Sequence, residues 1–199
     1  MRLEIHPEHP EPRKIARAVE ILNRDGVIAY PTDTVYGIGC AITSKKAIER
    51  VYQIKRMKPD QPLAFICPDL GDLAKYAVVD DRTYRLMRRL TPGPYCFILD
   101  ATRESPRILQ MKRKTVGIRV PHNEVALALV RALGAPIVST TATIDGEPLN
   151  DPAEIDARFK GLDLVLDAGY GGLIASTVID LTGPEIHVVR EGAGPVDAI

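Results

Sequence analysis

Hydroxyl side chains and glycines are concentrated in one segment, Tyr30–Gly39, which has the sequence YPTDTVYGIG. Thr32, Thr34 and Tyr36 can donate hydrogen bonds from their hydroxyls, and the glycines let a ligand approach the backbone closely. The segment follows an apolar run, and α/β proteins bind ligands at the ends of such strands. These residues therefore predict a binding site, although a well-capped turn explains them equally well.

A second group of candidates is basic: Lys55, Arg56 and Lys58 stand at the end of a predicted helix. A lysine can act as a point charge on a phosphate or carboxylate, and an arginine as a planar donor fork. Cations at a helix C-terminus also stabilise the helix itself, by about 0.3–1 kcal/mol each. The spacing leaves both explanations open.

Further candidates end or interrupt apolar strands. Ser139 and Thr141 follow one apolar run, and Ser176 and Arg190 lie in the two strands of a predicted C-terminal hairpin. Arg119 interrupts the otherwise apolar segment TVGIRVP. Because a buried arginine needs an anionic partner, Arg119 predicts either an internal salt bridge or contact with a ligand phosphate.

The composition excludes several classes of protein. The 199 residues are 45% hydrophobic and 26% charged, which is typical of globular chains rather than fibrous or disordered ones. Lys plus Arg equals Asp plus Glu at 26 each, so any anion site must be a local one. The common phosphate-binding motifs and the spacing of a metal site are both absent. The glycine-rich stretch 169–172 predicts only a flexible turn.

Three cysteines indicate the cellular compartment of the protein. Cys40, Cys67 and Cys96 are widely spaced in apolar contexts, which indicates unpaired thiols in a reducing compartment. No apolar run is long enough to cross a bilayer, and the N-terminus lacks the apolar core of a signal peptide. We therefore expect a cytoplasmic protein without a membrane partner.

Alternating helices and strands must position these candidate residues. Apolar residues at helical spacing predict helices, and short apolar runs between turn residues predict strands. The predicted helices span residues 12–24, 45–54, 83–90, 124–133 and 152–159, and the strands 27–30, 63–67, 96–99, 115–120, 135–139, 162–167, 176–180 and 185–190. Adjacent strand pairs near residue 115 and at the C-terminus favour a mixed sheet. We expect one α/β domain over residues 1–199.

Seven motifs occur in the order in which YrdC/YciO proteins carry them, over about residues 12–192. They are YPTDTVYGIG, the basic segment before PLAF, TPGPYCFIL, TVGIRVP, the strand that ends at Ser139, STVID and VVREG. The chain resembles this family and looks closer to its YciO branch. The resemblance implies a YrdC/RibB-like fold, with a twisted mixed sheet, flanking helices and a basic concave face.

The YrdC branch of this family consists of threonylcarbamoyl-AMP synthases, which join L-threonine, bicarbonate and ATP during threonylcarbamoyladenosine formation in tRNA. The resemblance implies ATP as a substrate accompanied by Mg²⁺, with no protein-bound metal or prosthetic group. Such a nucleotidyltransferase needs no nucleophilic side chain, since the threonine amine attacks bicarbonate and the carbamate attacks the α-phosphate. Its side chains position reactants and stabilise charge.

The resemblance also assigns roles to residues. Thr32, Thr34 and Tyr36 match the segment that lines the threonine end of the pocket. Lys55 matches the lysine of a lysine-x-arginine pair and is the catalytic candidate. Arg119, Ser139, Ser176 and Arg190 match nucleotide- or substrate-binding positions. Arg56 and Lys58, as substitutes for a family arginine, and Thr141, which keeps a hydroxyl, complete the binding candidates.

Two positions depart from the family pattern. Met57 replaces the arginine of the lysine-x-arginine pair, and Thr141 replaces an asparagine. A thioether cannot donate to a phosphate, and losing one preorganised donor can raise a barrier by about 2.7–4 kcal/mol. The resemblance thus implies a weakly active synthase-like enzyme or a YciO-type module that binds double-stranded RNA or the ribosome without efficient catalysis. In the second case Arg56, Lys58 and the run 112–114 would contact RNA phosphates.

Overall fold

The computed structural model describes residues 1–58, 61–105 and 114–199. The helices among these residues are α1 (Pro12–Asn23), α2 (Lys45–Lys55), α3 (Leu73–Tyr76), α4 (Asp81–Leu90), α5 (Glu124–Leu133) and α6 (Pro152–Arg158), and a 3₁₀ turn spans Val196–Ala198. The strands are β1 (Arg2–Glu4), β2 (Ile28–Tyr30), β3 (Gly37–Ala41), β4 (Ala64–Ile66), β5 (Tyr95–Asp100), β6 (Thr115–Arg119), β7 (Ile137–Thr141), β8 (Thr143–Ile144), β9 (Glu147–Pro148), β10 (Leu164–Asp167), β11 (Thr177–Asp180) and β12 (His187–Arg190).

The described strands form one ten-stranded sheet and a small β8–β9 hairpin. The sheet order is β1-β10-β2-β3-β7-β4-β6-β5-β11-β12. Four neighbouring pairs are parallel, namely β1/β10, β10/β2, β4/β6 and β5/β11, and the other five are antiparallel. The predicted mixed sheet is therefore confirmed.

Side chains that alternate along each strand create two faces with different covers. On one face, Ile28, Tyr30 and Ile137 pack with the apolar sides of α1 and α5. On the opposite face, Phe65 and Phe97 belong to a larger cluster with α2, α3, α4 and α6. The sheet is thus the middle layer of three.

The helices on the first face cover only half of it. Tyr30 and Ile66 pack in the α1/α5 cluster and also line a cavity, so the cavity begins where the helical cover ends. Beyond them the same face continues through Gly117 on β6, Cys96 on β5 and Val178 on β11, all of which line the cavity. Within the described ranges this half of the sheet carries no helix, and it positions the candidate site.

Local signals explain why most predicted elements lie within two residues of their observed bounds. The Ser44 side chain caps α2 by accepting a hydrogen bond from the Ala47 amide at 3.0 Å. Asn123 caps α5 in the same way, and Gly134 ends that helix with a positive φ of 71°.

Strand β3 is the main element that the sequence pattern missed. Its residues, GIGCA, contain two glycines, and glycine is depleted in strands. In the sheet, however, a Cβ on Gly39 would lie 2.5 Å from the Val138 carbonyl oxygen, so the pairing with β7 requires a residue without a side chain. The short elements β1, α3, β8 and β9 were also not predicted, because segments of two to four residues carry no periodicity.

No helix in the described ranges is long and apolar enough to cross a membrane. The three cysteines are unpaired and buried, as the sequence predicted.

Candidate functional site

The cavity on the half-covered face has a volume of about 180 Å³. Six of the predicted site residues line it, and they come from three strands and two flanking loops: Thr32, Arg119, Ser139, Thr141, Ser176 and Arg190. They meet because β7, β4, β6, β5 and β11 are neighbours in the sheet although they are far apart in the chain. The tertiary fold therefore assembles a polar site on an apolar wall.

Arg119 has an internal partner in the carboxylate of Asp33. The Nη2 atom of Arg119 donates to Asp33 Oδ1, and the two side chains are only 7% and 12% exposed. The internal salt bridge that the sequence left open is thus present, and Arg119 also lines the cavity. Within the described residues, Arg119 Nε and Asp33 Oδ2 have no hydrogen-bond partner. The pair leaves one donor and one acceptor unsatisfied, an uncommon arrangement for buried polar atoms.

Ser139 is held by a tyrosine from a neighbouring part of the sheet. The Tyr30 hydroxyl donates to Ser139 Oγ at 2.6 Å, and both residues line the cavity. Burial raises the pKa of the Tyr30 phenol well above its usual value, so this hydroxyl stays protonated and remains a donor.

Ser176 and Arg190 come together at the open end of the C-terminal hairpin. Arg190 donates from Nε and Nη2 to the Ser176 carbonyl oxygen, at 3.1 and 2.8 Å. The predicted hairpin therefore brings its two ends together, as β11 and β12 pair antiparallel from Val178↔Arg190. The guanidinium lies beside the Ser176 hydroxyl, with Nη2 3.4 Å from Oγ.

Thr32, Thr34 and Tyr36 use their hydroxyls inside the protein. Thr32 Oγ1 donates to the Val35 carbonyl oxygen at 2.7 Å and accepts from the Thr34 amide at 3.1 Å, which forms a tight turn. The Tyr36 hydroxyl donates to the Gly169 carbonyl oxygen at 2.8 Å and accepts from the Ala168 amide at 3.1 Å. Of these three residues, only Thr32 lines the cavity.

The glycine-rich stretch 169–172 is docked against this segment, a contact that the prediction of only a flexible turn did not include. The Gly172 amide donates to the Thr34 carbonyl oxygen at 2.8 Å, and the Gly171 amide donates to Asn150 O at 2.8 Å. A Cβ on Gly172 would lie 2.3 Å from Thr34 O. The glycines are needed here for close approach of two backbones, a requirement that no local sequence pattern shows.

Lys55 lies outside the cavity lining. Its ammonium donates to the carbonyl oxygen of Thr143 and, at 3.1 Å, to Thr143 Oγ1, and it stands 5.0 Å from the centre of the Phe159 ring. Burial lowers the pKa of Lys55 to about 8, because removal from water disfavours the charged form. The lysine is thus held against the β8–β9 hairpin.

The rest of the basic segment diverges from Lys55. Arg56 ends α2 in the left-handed conformation, with φ 51° and ψ 38°, and its side chain is exposed, as is that of Lys58. Between them, Met57 is half-buried and packs against the larger apolar cluster. The structure therefore does not bring this segment together with the cavity residues. Of the basic run 112–114, Lys112 and Arg113 lie outside the described residues.

Several residues that line the cavity, and Asp33, which pairs with cavity-lining Arg119, were not predicted from the sequence. Asp33 and Tyr30 belong to the YPTDTVYGIG segment, and both carry polar groups that need partners once buried, which was the available signal. Gly37, Cys96 and Gly117 carry no such signal. No group of three His, Cys, Asp or Glu in the described ranges could hold a metal ion.

Comparisons with known proteins cover almost the whole chain. The family model Sua5_yciO_yrdC, described as "Telomere recombination", matches residues 20–192. The chain is 47% identical over 196 residues to the uncharacterised protein YciO of Escherichia coli (strain K12), covering 96% of this chain and 95% of that protein. It is 34% identical over 186 residues to the threonylcarbamoyl-AMP synthase of Escherichia coli O6:H1, covering 89% and 95%.

Solved structures give the same picture. The crystal structure of Escherichia coli YciO superposes with a TM-score of 0.95 at 45% identity, covering 100% of this chain and 98% of that chain. Sua5 of P. abyssi complexed with L-threonine superposes with a TM-score of 0.92 at 28% identity, covering 99% of this chain but 59% of that longer chain. The predicted fold, a twisted mixed sheet with flanking helices, is confirmed by these matches.

Proposed function

The chain belongs to the Sua5/YciO/YrdC family, and from this membership we propose that it is a threonylcarbamoyl-AMP synthase-like protein with slow turnover. It would bind ATP and L-threonine in the cavity, use bicarbonate and serve threonylcarbamoyladenosine formation in tRNA. The observation that carries the proposal is the convergence of six candidate residues on one cavity. The L-threonine complex of Sua5 supports it from a relative. The unpaired cysteines favour the cytoplasm as its location.

In this proposal the threonine nitrogen attacks the carbon of bicarbonate and forms a carbamate with loss of water. A carbamate oxygen then attacks the α-phosphorus of ATP, and the bond to the β-phosphate oxygen breaks to release pyrophosphate. Arg190 stabilises phosphate charge, while the Ser139 and Ser176 hydroxyls donate to ligand oxygens. Mg²⁺ enters with ATP and neutralises charge on its phosphates.

Two features of the site support slow turnover. The charge of Arg119 is balanced by Asp33, which leaves Arg190 as the cavity-lining cation without a carboxylate partner in the described part of the chain. Met57 offers no donor, and Lys55 is bound to Thr143. The transition state would therefore meet fewer preorganised cations than the family's lysine-x-arginine pattern supplies.

Mass spectrometry of a reaction with L-threonine, bicarbonate, Mg²⁺ and ATP tests the proposal. We expect threonylcarbamoyl-AMP from the wild type and none from Lys55→Ala. Lys46→Ala, on the exposed side of the same helix, is the matched control and should keep the wild-type rate. Absence of product from the wild type would contradict the synthase, and an unchanged rate in Lys55→Ala would contradict the role of that lysine.

A second candidate function is binding of structured RNA without efficient turnover. The observation that favours it is the exposure of Arg56 and Lys58, neither of which forms an ion pair with the residues that the structure describes. Fluorescence anisotropy with a double-stranded RNA should then show affinity that falls steeply with salt. The double variant Arg56→Ala/Lys58→Ala should bind more weakly and with a shallower salt slope, whereas Arg13→Ala, at an exposed position of α1, should not. Binding that ignores salt, or its absence, would remove this candidate.

A further inference from the structure

In the hydrogen bond between Tyr30 and Ser139, the tyrosine hydroxyl is the donor. Tyr30 is fully buried, and its hydroxyl lies 2.6 Å from Ser139 Oγ. A buried phenol that stays protonated must donate its hydrogen to some acceptor. No other acceptor for this hydroxyl is present among the described residues, so Tyr30 donates and Ser139 Oγ accepts.

This leaves the Ser139 hydroxyl with its own hydrogen to donate. A serine hydroxyl carries one donor and two acceptor positions, and Tyr30 occupies one of the latter. The carbonyl oxygens of Ile38 and Thr140 each lie 3.4 Å from Ser139 Oγ, whereas O–H···O bonds are usually about 2.7–2.8 Å long. Ser139 therefore has no good protein acceptor in the described chain, and it lines the cavity.

Gly37 provides the space for this pair. It stands on β3 between the two residues, and a Cβ at this position would lie 2.9 Å from Ser139 Oγ and 2.8 Å from Tyr30 Cζ. Its φ lies outside the left-handed region, so the backbone does not require a glycine here. The absence of a side chain is what allows the two hydroxyls to meet.

We propose that Tyr30 is a positioning residue that holds the Ser139 hydroxyl as a hydrogen-bond donor to an acceptor oxygen of the bound ligand. The inference rests on the proposed function, in which that oxygen belongs to the carboxylate of threonine or to a phosphate of the nucleotide. Tyr30 itself does not touch the ligand oxygen. It occupies one lone pair of Ser139, so that the serine hydrogen is already directed into the cavity before the ligand arrives.

Isothermal titration calorimetry of the full chain tests this, with L-threonine and ATP·Mg²⁺ as separate probes. Ser139→Ala should lower the affinity for the probe whose oxygen Ser139 contacts, by about fivefold to tenfold. Tyr30→Phe should lower the affinity for the same probe. The double variant Tyr30→Phe/Ser139→Ala should bind that probe no more weakly than Ser139→Ala alone. A purely structural role of Tyr30 would not produce this non-additivity.

Two further variants control the comparison. Tyr95→Phe makes the same chemical change in another buried tyrosine, whose hydroxyl donates to the Pro195 carbonyl oxygen at 2.9 Å and whose side chain does not line the cavity. It should bind both probes as the wild type does. Gly37→Ala keeps both hydroxyls but places a methyl group between them. It should lower the affinity for the same probe as Tyr30→Phe does.

The outcomes separate this inference from the proposed function. Wild-type affinity in Tyr30→Phe, or losses that simply add in the double variant, would overturn the inference while leaving the function standing. A wild type that binds neither probe would overturn both. If Tyr30→Phe fails to fold, Gly37→Ala decides, since unchanged affinity there contradicts the positioning role.

Discussion

Two regions were predicted as parts of one site. They are the strand wall of the cavity (Arg119, Ser139, Ser176 and Arg190) and the end of helix α2 (Lys55–Lys58). Their surroundings in the structure differ. On the strand wall, Arg119 pairs with Asp33, and Ser139 with Tyr30. At the helix end, Lys55 is bound to Thr143 and Met57 packs into the core. The first region lines the cavity, and the second lies outside its lining.

The difference follows from how each region is held. Strand residues are placed by register: Ser139 lies opposite both Gly39 and Ala64, and Ala64 lies opposite Gly117. A one-residue slip would turn every one of these side chains to the other face, so the core specifies the register strongly. The helix end is not held by strand register, because the left-handed Arg56 ends the helical repeat there.

Loss of the Arg119 charge should give the largest effect of the three changes below. Arg119→Met leaves the Asp33 carboxylate buried without its partner, and we expect the free energy of unfolding to fall by about 3–5 kcal/mol. Urea unfolding followed by circular dichroism measures this. The matched control is Arg158→Met, which breaks an exposed ion pair with Glu154 and should cost no more than about 0.5 kcal/mol. Equal losses in the two variants would show that the buried pair of the strand wall contributes no more to stability than an exposed ion pair.

Restoring the family's arginine at the helix end should increase the rate of catalysis. Met57→Arg restores the guanidinium of the lysine-x-arginine pattern two residues after Lys55, and we expect threonylcarbamoyl-AMP formation to rise, by up to about 100-fold. The same change removes an apolar contact with the core and should lower stability. Gln53→Arg adds an equal charge on an exposed position of α2 and should leave the rate unchanged. A Met57→Arg rate no higher than that of this control would contradict the explanation of slow turnover.

The smallest expected effect concerns pH and Lys55. Burial lowers its pKa in the folded protein to about 8, against an ordinary value of 10.5. Between these values the unfolded chain binds more protons than the folded one, so stability should rise with pH across this window. Lys55→Met lacks this titration. The difference in free energy of unfolding, wild type minus variant, should therefore increase from pH 8 to pH 10.5.

Urea titrations at several pH values in this window measure that difference. A flat or falling difference would show that the Thr143 oxygens, which stabilise the ammonium, outweigh its burial.

The sequence predicted more of the strand wall than of its surroundings. Arg119 was recognisable because a charge in an apolar strand needs a partner, but the chain carries 26 acidic residues, and only the fold selects Asp33, 86 positions away. Gly37 and Gly39 argued against strand β3 locally, yet both are required by close packing against Ser139 and Val138. Local propensity and tertiary fit point in opposite directions at these glycines, and tertiary fit prevails.

By itself the amino-acid sequence determined the order and type of most elements, the mixed sheet and the family, because periodicity, caps and motif order are local properties of the chain. It also determined that polar residues would follow apolar strands. Only the tertiary structure decided which of them share a cavity, because that depends on which strands become neighbours and which half of the sheet the helices leave uncovered. Lys55 shows this most clearly: its basic neighbours predicted an anion site, and long-range contacts with Thr143 and Phe159 place its ammonium outside the cavity lining.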